Sequence, residues 1–99
     1  MTESELLDML KADLEIVNSL QDAYLKNLIS AAQSAIAEEG IEIFDPPSSA
    51  ADGHLVEMYA AYLYRKRKTD NPAMPRMLRH ALNNRKFHQT MEAGDSDAL

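Results

Sequence analysis

The sequence predicts an all-α protein, a small bundle of about four helices with a short extended loop between helices 2 and 3. Three observations predict this fold class. Apolar residues recur at helical spacing in four segments. Glycine, proline and capping residues separate these segments. The strand-like alternation of Ile41–Phe44 covers just four residues.

The first helix is predicted from Glu3 to about Asp13. Leu6, Leu10 and Leu14 are spaced at i, i+4 and i+8 and form an apolar stripe. Acidic residues cluster in the first turn, where they oppose the positive end of the helix dipole.

The second helix is predicted from about Leu20 to Glu39. This run has no glycine or proline and is rich in alanine and leucine, which are strong helix formers. Ser19 followed by Asp22 resembles a capping box at its start. Gly40 occupies the position where a left-handed residue ends many helices.

The segment after Gly40 has two interpretations. Ile41–Phe44 could form a short strand, or an extended loop that places Ile43 or Phe44 in the core. The following Asp45-Pro46-Pro47 excludes a helix, because proline restricts both its own backbone and that of the preceding residue.

The third helix is predicted to begin at Ser48 or Ser49 and to run to about Lys68. Its last turn is basic, which the helix dipole favours at a C-terminus, so this run has a structural explanation without a ligand. The predicted buried face consists of Leu55, Val56, Tyr59, Ala60, Tyr62 and Leu63.

A turn at Thr69–Pro72 precedes the fourth helix, which Met74-Pro75 opens. This helix could end at Asn83-Asn84 or continue through Phe87 to Met91. We expect residues 93–99 to form a flexible acidic tail. The predicted buried stripe consists of Met74, Met77, Leu78, Ala81 and Leu82.

Composition narrows the possible classes of protein. The 99 residues are 45% hydrophobic, which suits one globular domain. No cysteine is present, so disulfides and thiolate metal sites are excluded. The acidic start lacks an apolar signal-peptide core, and no apolar run approaches the length of about 18 residues that a membrane span needs.

The net charge of −6 is unevenly distributed along the chain. Residues 1–45 contain ten acidic and two basic residues, whereas residues 65–86 contain eight basic residues and one acidic residue. This polarity suits head-to-tail contact between copies of one chain. The alternative is that the basic tract is a solvated helix end.

Patterns typical of catalysis and metal binding are missing from the sequence. It contains neither a G-x-S-x-G motif nor a glycine-rich phosphate loop. The pairs His54–Glu57 and His88–Glu92 would need further ligands to hold a metal, so we interpret them as surface pairs on helices. We expect no catalytic residue, no metal site and no cofactor.

The tyrosines of the third helix are predicted to have different environments. Tyr59 and Tyr62 share a face, which core packing explains. Tyr64 is turned away from Tyr62 and lies beside Arg65 and Arg67. Tyrosine and arginine are enriched at protein interfaces, so this group is a candidate contact surface. The alternative is an exposed tyrosine that lies over its own helix.

The pattern from about residue 5 to residue 90 resembles the phage head–tail connector family, also described as DNA-packaging or head-completion adaptors of long-tailed phages. The resemblance depends on the long helix at residues 25–36 and on the block at residues 55–67. Its most characteristic part is the sequence Met-Pro-Arg-Met-Leu at 74–78 followed by Leu-Asn-Asn-Arg at 82–85.

The resemblance implies a single helical connector domain over residues 1–92 and a structural, non-catalytic role in the virion, with assembly in the bacterial host cytoplasm. Members of the family look like adaptors that form a ring under the portal, join the DNA-filled head to the tail and continue the DNA channel. The implied protein partners are further copies of the chain in a ring expected to be dodecameric, the portal protein and a tail-side completion protein. DNA is implied to pass through the ring without sequence-specific binding, and no membrane is involved. The candidate interface residues are Tyr64, Arg65, Arg67, Arg76, Arg79 and Arg85.

Two alternatives remain open at this stage. The basic segments Arg65–Lys68 and Arg76–Lys86 could form a nucleic-acid-binding module, although the negative net charge argues against binding to free DNA. The chain could also be a small phage scaffold protein that binds another protein without forming a ring. The loop Ile41–Ala51 is short, which limits any contact made by that loop.

Overall fold

The computed structural model describes residues 2–67 and 73–97, with side chains up to residue 91 in the last helix. Within these ranges the chain has no strand, which confirms the predicted all-α class and makes residues 41–44 a loop. The four helices are α1 (Glu3–Asp13), α2 (Asp22–Glu38), α3 (Ala50–Lys66) and α4 (Arg76–Asp97).

Helix α1 has the predicted bounds and is capped at both ends. At its start the Thr2 hydroxyl accepts a hydrogen bond from the Glu5 backbone N–H (3.1 Å), and the Glu5 carboxylate accepts one from the Thr2 N–H (3.3 Å). At its end the N–H of Ile16 donates to the Lys11 carbonyl (2.9 Å). This bond closes a Schellman motif in which Glu15 has the left-handed conformation, with φ of 58°.

Helix α2 begins at Asp22, and the predicted capping box of Ser19 with Asp22 is wrong. The helix has Gln21 as its N-cap, without a side-chain hydrogen bond. The reason is a local turn in which the Asn18 carboxamide oxygen accepts from the Leu20 N–H (3.1 Å) and keeps these residues outside the helix.

The C-terminus of α2 confirms Gly40 as the left-handed residue, with φ of 88°. The N–H of Ile41 reaches back to the Ile36 carbonyl (3.4 Å), and both side chains are buried. The expectation that Ile43 or Phe44 enters the core holds in part, since Ile43 packs against the core and Ile41 is fully buried. Ile43 is half-buried and Phe44 is 74% exposed.

Helix α3 lies at the centre of the bundle and packs against α1, α2 and α4. As predicted, Ser49 is its N-cap, and its hydroxyl accepts from the Asp52 N–H (3.1 Å). The helix ends at Lys66; Lys68 and the predicted turn Thr69–Pro72 lie outside the described residues. The buried side of α3 is broad and consists of Gly53, Leu55, Val56, Glu57, Tyr59, Ala60, Ala61 and Tyr64.

Helix α4 begins after Pro75, whose carbonyl accepts from the Arg79 N–H (3.1 Å), and continues beyond Asn83-Asn84 to Asp97. Leu78 and Leu82 are buried as predicted, but the placement of Met77 in the same stripe is wrong, because its side chain is 76% exposed. The flexibility of the tail at 93–99 stays a prediction; residues 98–99 lie outside the described residues.

Candidate subunit interface

Tyr64 packs inside the subunit, which corrects its predicted outward orientation. The residue is 9% exposed, and its hydroxyl donates to the Gln21 carboxamide oxygen (3.2 Å). Its ring lies 6.3 Å from the ring of Tyr24. Tyr59 and Tyr62 were both expected in the core. Tyr59 is buried as expected, whereas Tyr62 is half-buried.

Arg65 and Arg67 connect the end of α3 to the neighbouring helices. The guanidinium of Arg65 lies 3.4 Å from the Asp13 carboxylate at the end of α1. The guanidinium of Arg67 lies 4.7 Å from the ring centroid of Tyr24 on α2, which is cation–π geometry. The basic end of α3 therefore contacts the subunit's own surface.

Arg79 and Arg85 attach the inner side of α4 to the bundle. Arg79 donates two hydrogen bonds to the Glu39 carboxylate (2.7 and 2.9 Å), and this pairing lowers the pKa of Glu39. Arg85 donates to the Asp52 carboxylate (2.8 Å) and to the Glu42 carbonyl (2.7 Å). The charge asymmetry seen in the sequence is thus partly neutralised within one subunit.

The remaining predicted interface residue, Arg76, is exposed at the start of α4. Next to Arg76 begins a row of side chains on the face of α4 that turns away from α3. The residues of this row are spaced alternately three and four positions apart, which is the spacing of a coiled-coil seam. We call this face the α4 outer row; all its members are exposed, and they are Met77, His80, Asn84, Phe87 and Met91.

A second exposed apolar patch lies in the connection between α1 and α2. Val17 is 96% exposed, and Leu20, which lies before the start of α2, is 89% exposed. The segment 12–23 that contains them has three acidic residues and no basic residue. We call this segment the acidic turn. Contact of the six predicted residues with another protein stays a prediction.

The model of the phage gp6-like head-tail connector protein family matches residues 4–84. The chain belongs to this family. The match covers α1, α2, α3 and the first part of α4, so it includes the buried core of the bundle. The family is structural and acts between phage head and tail, which makes this connector a virion protein that contacts other head or tail proteins. No curated protein and no solved structure matches the chain.

A groove of about 590 Å³ lies between the loop 40–44 and α4. Of its ionisable lining residues, Arg85 is already paired with Asp52, and Glu42 is exposed. A smaller groove of about 240 Å³ lies between α3 and α4 and has an apolar floor that includes Leu55 and Met58. Both grooves have the character of gaps between packed elements rather than of sites built for a reaction.

In the part of the connector that the structure describes, the interpretation of His54–Glu57 as a surface pair is wrong, because Glu57 is 5% exposed. No group of three or more potential ligands occurs there. His54 is exposed whereas Glu57 is buried, so the two side chains are not presented together. The side chain of Glu92, the partner of His88, lies outside the described part. None of the described helices is long and apolar enough to cross a membrane.

Proposed function

We propose that this connector assembles as a ring under the portal, joins the DNA-filled head to the tail and continues the channel through which the genome leaves. The observation that carries the proposal is the family match, which covers the core of the bundle at residues 4–84. The α4 outer row and the acidic turn support it, because a subunit with two separate exposed apolar patches has surface available for more than one neighbour.

The proposed partners are other copies of the chain in a dodecamer, the portal protein on one side and a tail-side completion protein on the other, with assembly in the host cytoplasm. DNA passes through without sequence-specific binding. This is supported by the net charge of −6 and by the internal pairing of Arg65, Arg79 and Arg85 with acidic side chains. A surface that holds phosphates tightly would oppose movement of the genome. The proposed role includes no catalytic step.

Deletion of the gene from the phage or prophage, followed by electron microscopy of the lysate, tests the proposal. The expected result is DNA-filled heads without tails, and wild-type connector supplied from a plasmid restores complete virions. Intact virions in the deletion strain would contradict the proposal. The plasmid-complemented strain is the matched control, because it separates loss of the protein from effects on neighbouring genes.

A duplex-DNA titration separates the connector role from the nucleic-acid-binding alternative. We expect no saturable binding at physiological salt, because the net charge is negative and Arg65, Arg79 and Arg85 are paired with acidic side chains. Saturable binding whose affinity falls steeply with salt would favour the alternative.

A further inference from the structure

The acidic turn and α4 lie at opposite ends of the bundle. The start of α2 contacts the end of α3 through the hydrogen bond between Gln21 and Tyr64. The end of α2 contacts α4 through the ion pair between Glu39 and Arg79. Helix α2 has 17 residues and is therefore about 25 Å long. The α2 helix separates the two patches within one subunit.

The two patches have opposite charge. Residues 76–91 of α4 include four basic residues and no acidic residue, whereas the acidic turn has the reverse composition. Arg79 and Arg85 are used in internal pairs, while Arg76 and Lys86 are exposed. In the acidic turn Asp13 is paired with Arg65 and Asp22 with Lys11, while Glu15 is exposed and no ion pair within the described residues includes it.

The apolar surfaces of the patches also match in kind. The α4 outer row offers Met77, Phe87 and Met91 as an exposed strip along one helix. The acidic turn offers Val17 and Leu20 as a small protruding pair. Contact between the two apolar surfaces would remove both from water.

The backbone of the acidic turn is held in an uncommon conformation. Glu15 has φ of 58°, a region that glycine adopts readily and glutamate rarely does. This conformation closes the Schellman motif at the end of α1. Glu15 introduces both the change of chain direction after α1 and the negative charge next to Val17.

We infer that the acidic turn of one copy docks on the α4 outer row of the next copy, head to tail. The occupant is a second copy of this chain, because both complementary patches belong to the same subunit and are too far apart to meet within it. The inference rests on the proposed ring and names the surfaces that close it. A head-to-tail contact repeated around an axis gives a closed ring when the rotation closes.

Disulfide trapping tests the contact directly, since the natural chain has no cysteine. Val17→Cys protein is mixed with Asn84→Cys protein and oxidised. The expected result is a mixed covalent dimer at least tenfold more abundant than in the control mixture of Val17→Cys with Ser34→Cys, whose Ser34 position is exposed on α2. One chain carrying both Val17→Cys and Asn84→Cys gives a ladder of multimers.

Two outcomes would overturn the inference. The first is a mixed dimer no more abundant than in the control. The second is self-dimers of Asn84→Cys that exceed the mixed dimer, because they indicate a two-fold contact between outer rows. Either outcome leaves the ring proposal standing if the gene deletion still yields tailless, DNA-filled heads. Intact virions in the deletion strain refute the ring whatever the disulfides show.

A charge-reversal pair gives an independent measurement. Arg76→Glu and Glu15→Arg each place like charges on the two docking surfaces, and we expect each to weaken self-association about tenfold in analytical ultracentrifugation. Mixing the two variants presents two reversed surfaces to each other and restores association. Circular dichroism of each variant verifies that the helices are intact. Unchanged association in both single variants would contradict the proposed pairing.

Discussion

Glu57 of α3 shares a hydrogen bond with Asp13, the exposed last residue of α1. Glu57 is 5% exposed, and its Oε2 atom has no hydrogen-bond partner. Burial is the largest cause that raises the pKa of Glu57, to about 8, and the hydrogen bond and charge of Asp13 add to it. The raised pKa favours the protonated Glu57 carboxyl, which is the form that donates in the hydrogen bond with Asp13.

The free energy of unfolding should fall as the pH rises from about 5 to about 9. The folded-state pKa of Glu57 is about 8 and its ordinary value is 4.5, so between these two pH values the folded state retains a proton that the unfolded state has lost. This contribution is fully present below the unfolded pKa and is lost as the pH rises through the folded pKa. The slope for one proton is at most about 1.4 kcal/mol per pH unit. Urea titrations at several pH values measure it.

The control for this prediction is Glu57→Gln, which keeps a hydrogen-bond donor but cannot ionise. Its stability should vary less with pH over the same window, and it should exceed the stability of the natural protein above pH 8. Parallel pH profiles for the two proteins would show that Glu57 does not titrate in this way.

The two faces of α4 should differ in their contribution to stability. Leu82→Ala removes a side chain that is 1% exposed and should lower the free energy of unfolding by about 2–4 kcal/mol. Met77→Ala on the α4 outer row should change it by no more than about 0.5 kcal/mol. Chemical denaturation of both variants measures the difference. Equal losses would mean that the outer row is packed in the isolated protein.

Glu15→Gly should stabilise the isolated subunit by about 0.5–1 kcal/mol. Glycine relieves the left-handed strain at this position, although it also adds entropy to the unfolded chain. Glu15→Ala is the matched control, because it removes the same carboxylate but retains the Cβ atom that causes the strain. Thermal unfolding compares the two. Equal stability of the two variants would contradict a strained turn.

Self-association of the connector should weaken as salt increases, because charge attraction is part of the inferred contact. Screening shortens the reach of such attraction from about 10 Å at 0.1 M salt to about 3 Å at 1 M. Sedimentation at these two concentrations measures the effect. Arg76→Gln, which lacks one of the exposed cations, should show a smaller salt dependence. Association that does not respond to salt would rule out the electrostatic part of the contact.

Local sequence signals predicted the helix ends well. Gly40 and Ser49 act through hydrogen bonds to residues three to five positions away, so the signal and the structure lie in the same short segment. The Ser19 signal failed because Asn18, one position earlier, offered a competing turn. Asn and Ser are N-cap residues of similar strength, so residue type alone does not decide between two adjacent candidates.

The orientation of the tyrosines could not be predicted, because it depends on the position of α3 in the bundle. A helix that packs on one neighbour buries a narrow stripe, and that assumption placed Tyr62 inside and Tyr64 outside. Helix α3 packs against three other helices, so its buried side is broad enough to include Tyr64. The number of neighbours around a helix is a property of the fold and not of its own periodicity.

The candidate interface was predicted only in part. Arg76 is exposed as expected, but the arginines at 79 and 85 are engaged with acids distant in sequence, which no local pattern reveals. The α4 outer row was detectable, since its spacing is visible in the sequence once the helix is extended to Met91. Over a helix that ends at Asn84, Met77 is close enough to Leu78 to be counted with the buried side. Over a helix that reaches Met91, it belongs to the exposed row.

The attachment of α4 changes in character along its length. The buried leucines of α4 lie in its first two turns. Further along the helix, the polar side chains of Arg85 and Gln89 contact the loop after α2. Arg85 also contacts α3. None of residues 83–91 is buried, so separation of this part of α4 from the bundle would not bring a buried apolar side chain of its own into water. Amide hydrogens there should exchange earlier than those near Leu82. The later part of α4 can thus change its position while the hydrophobic core remains packed.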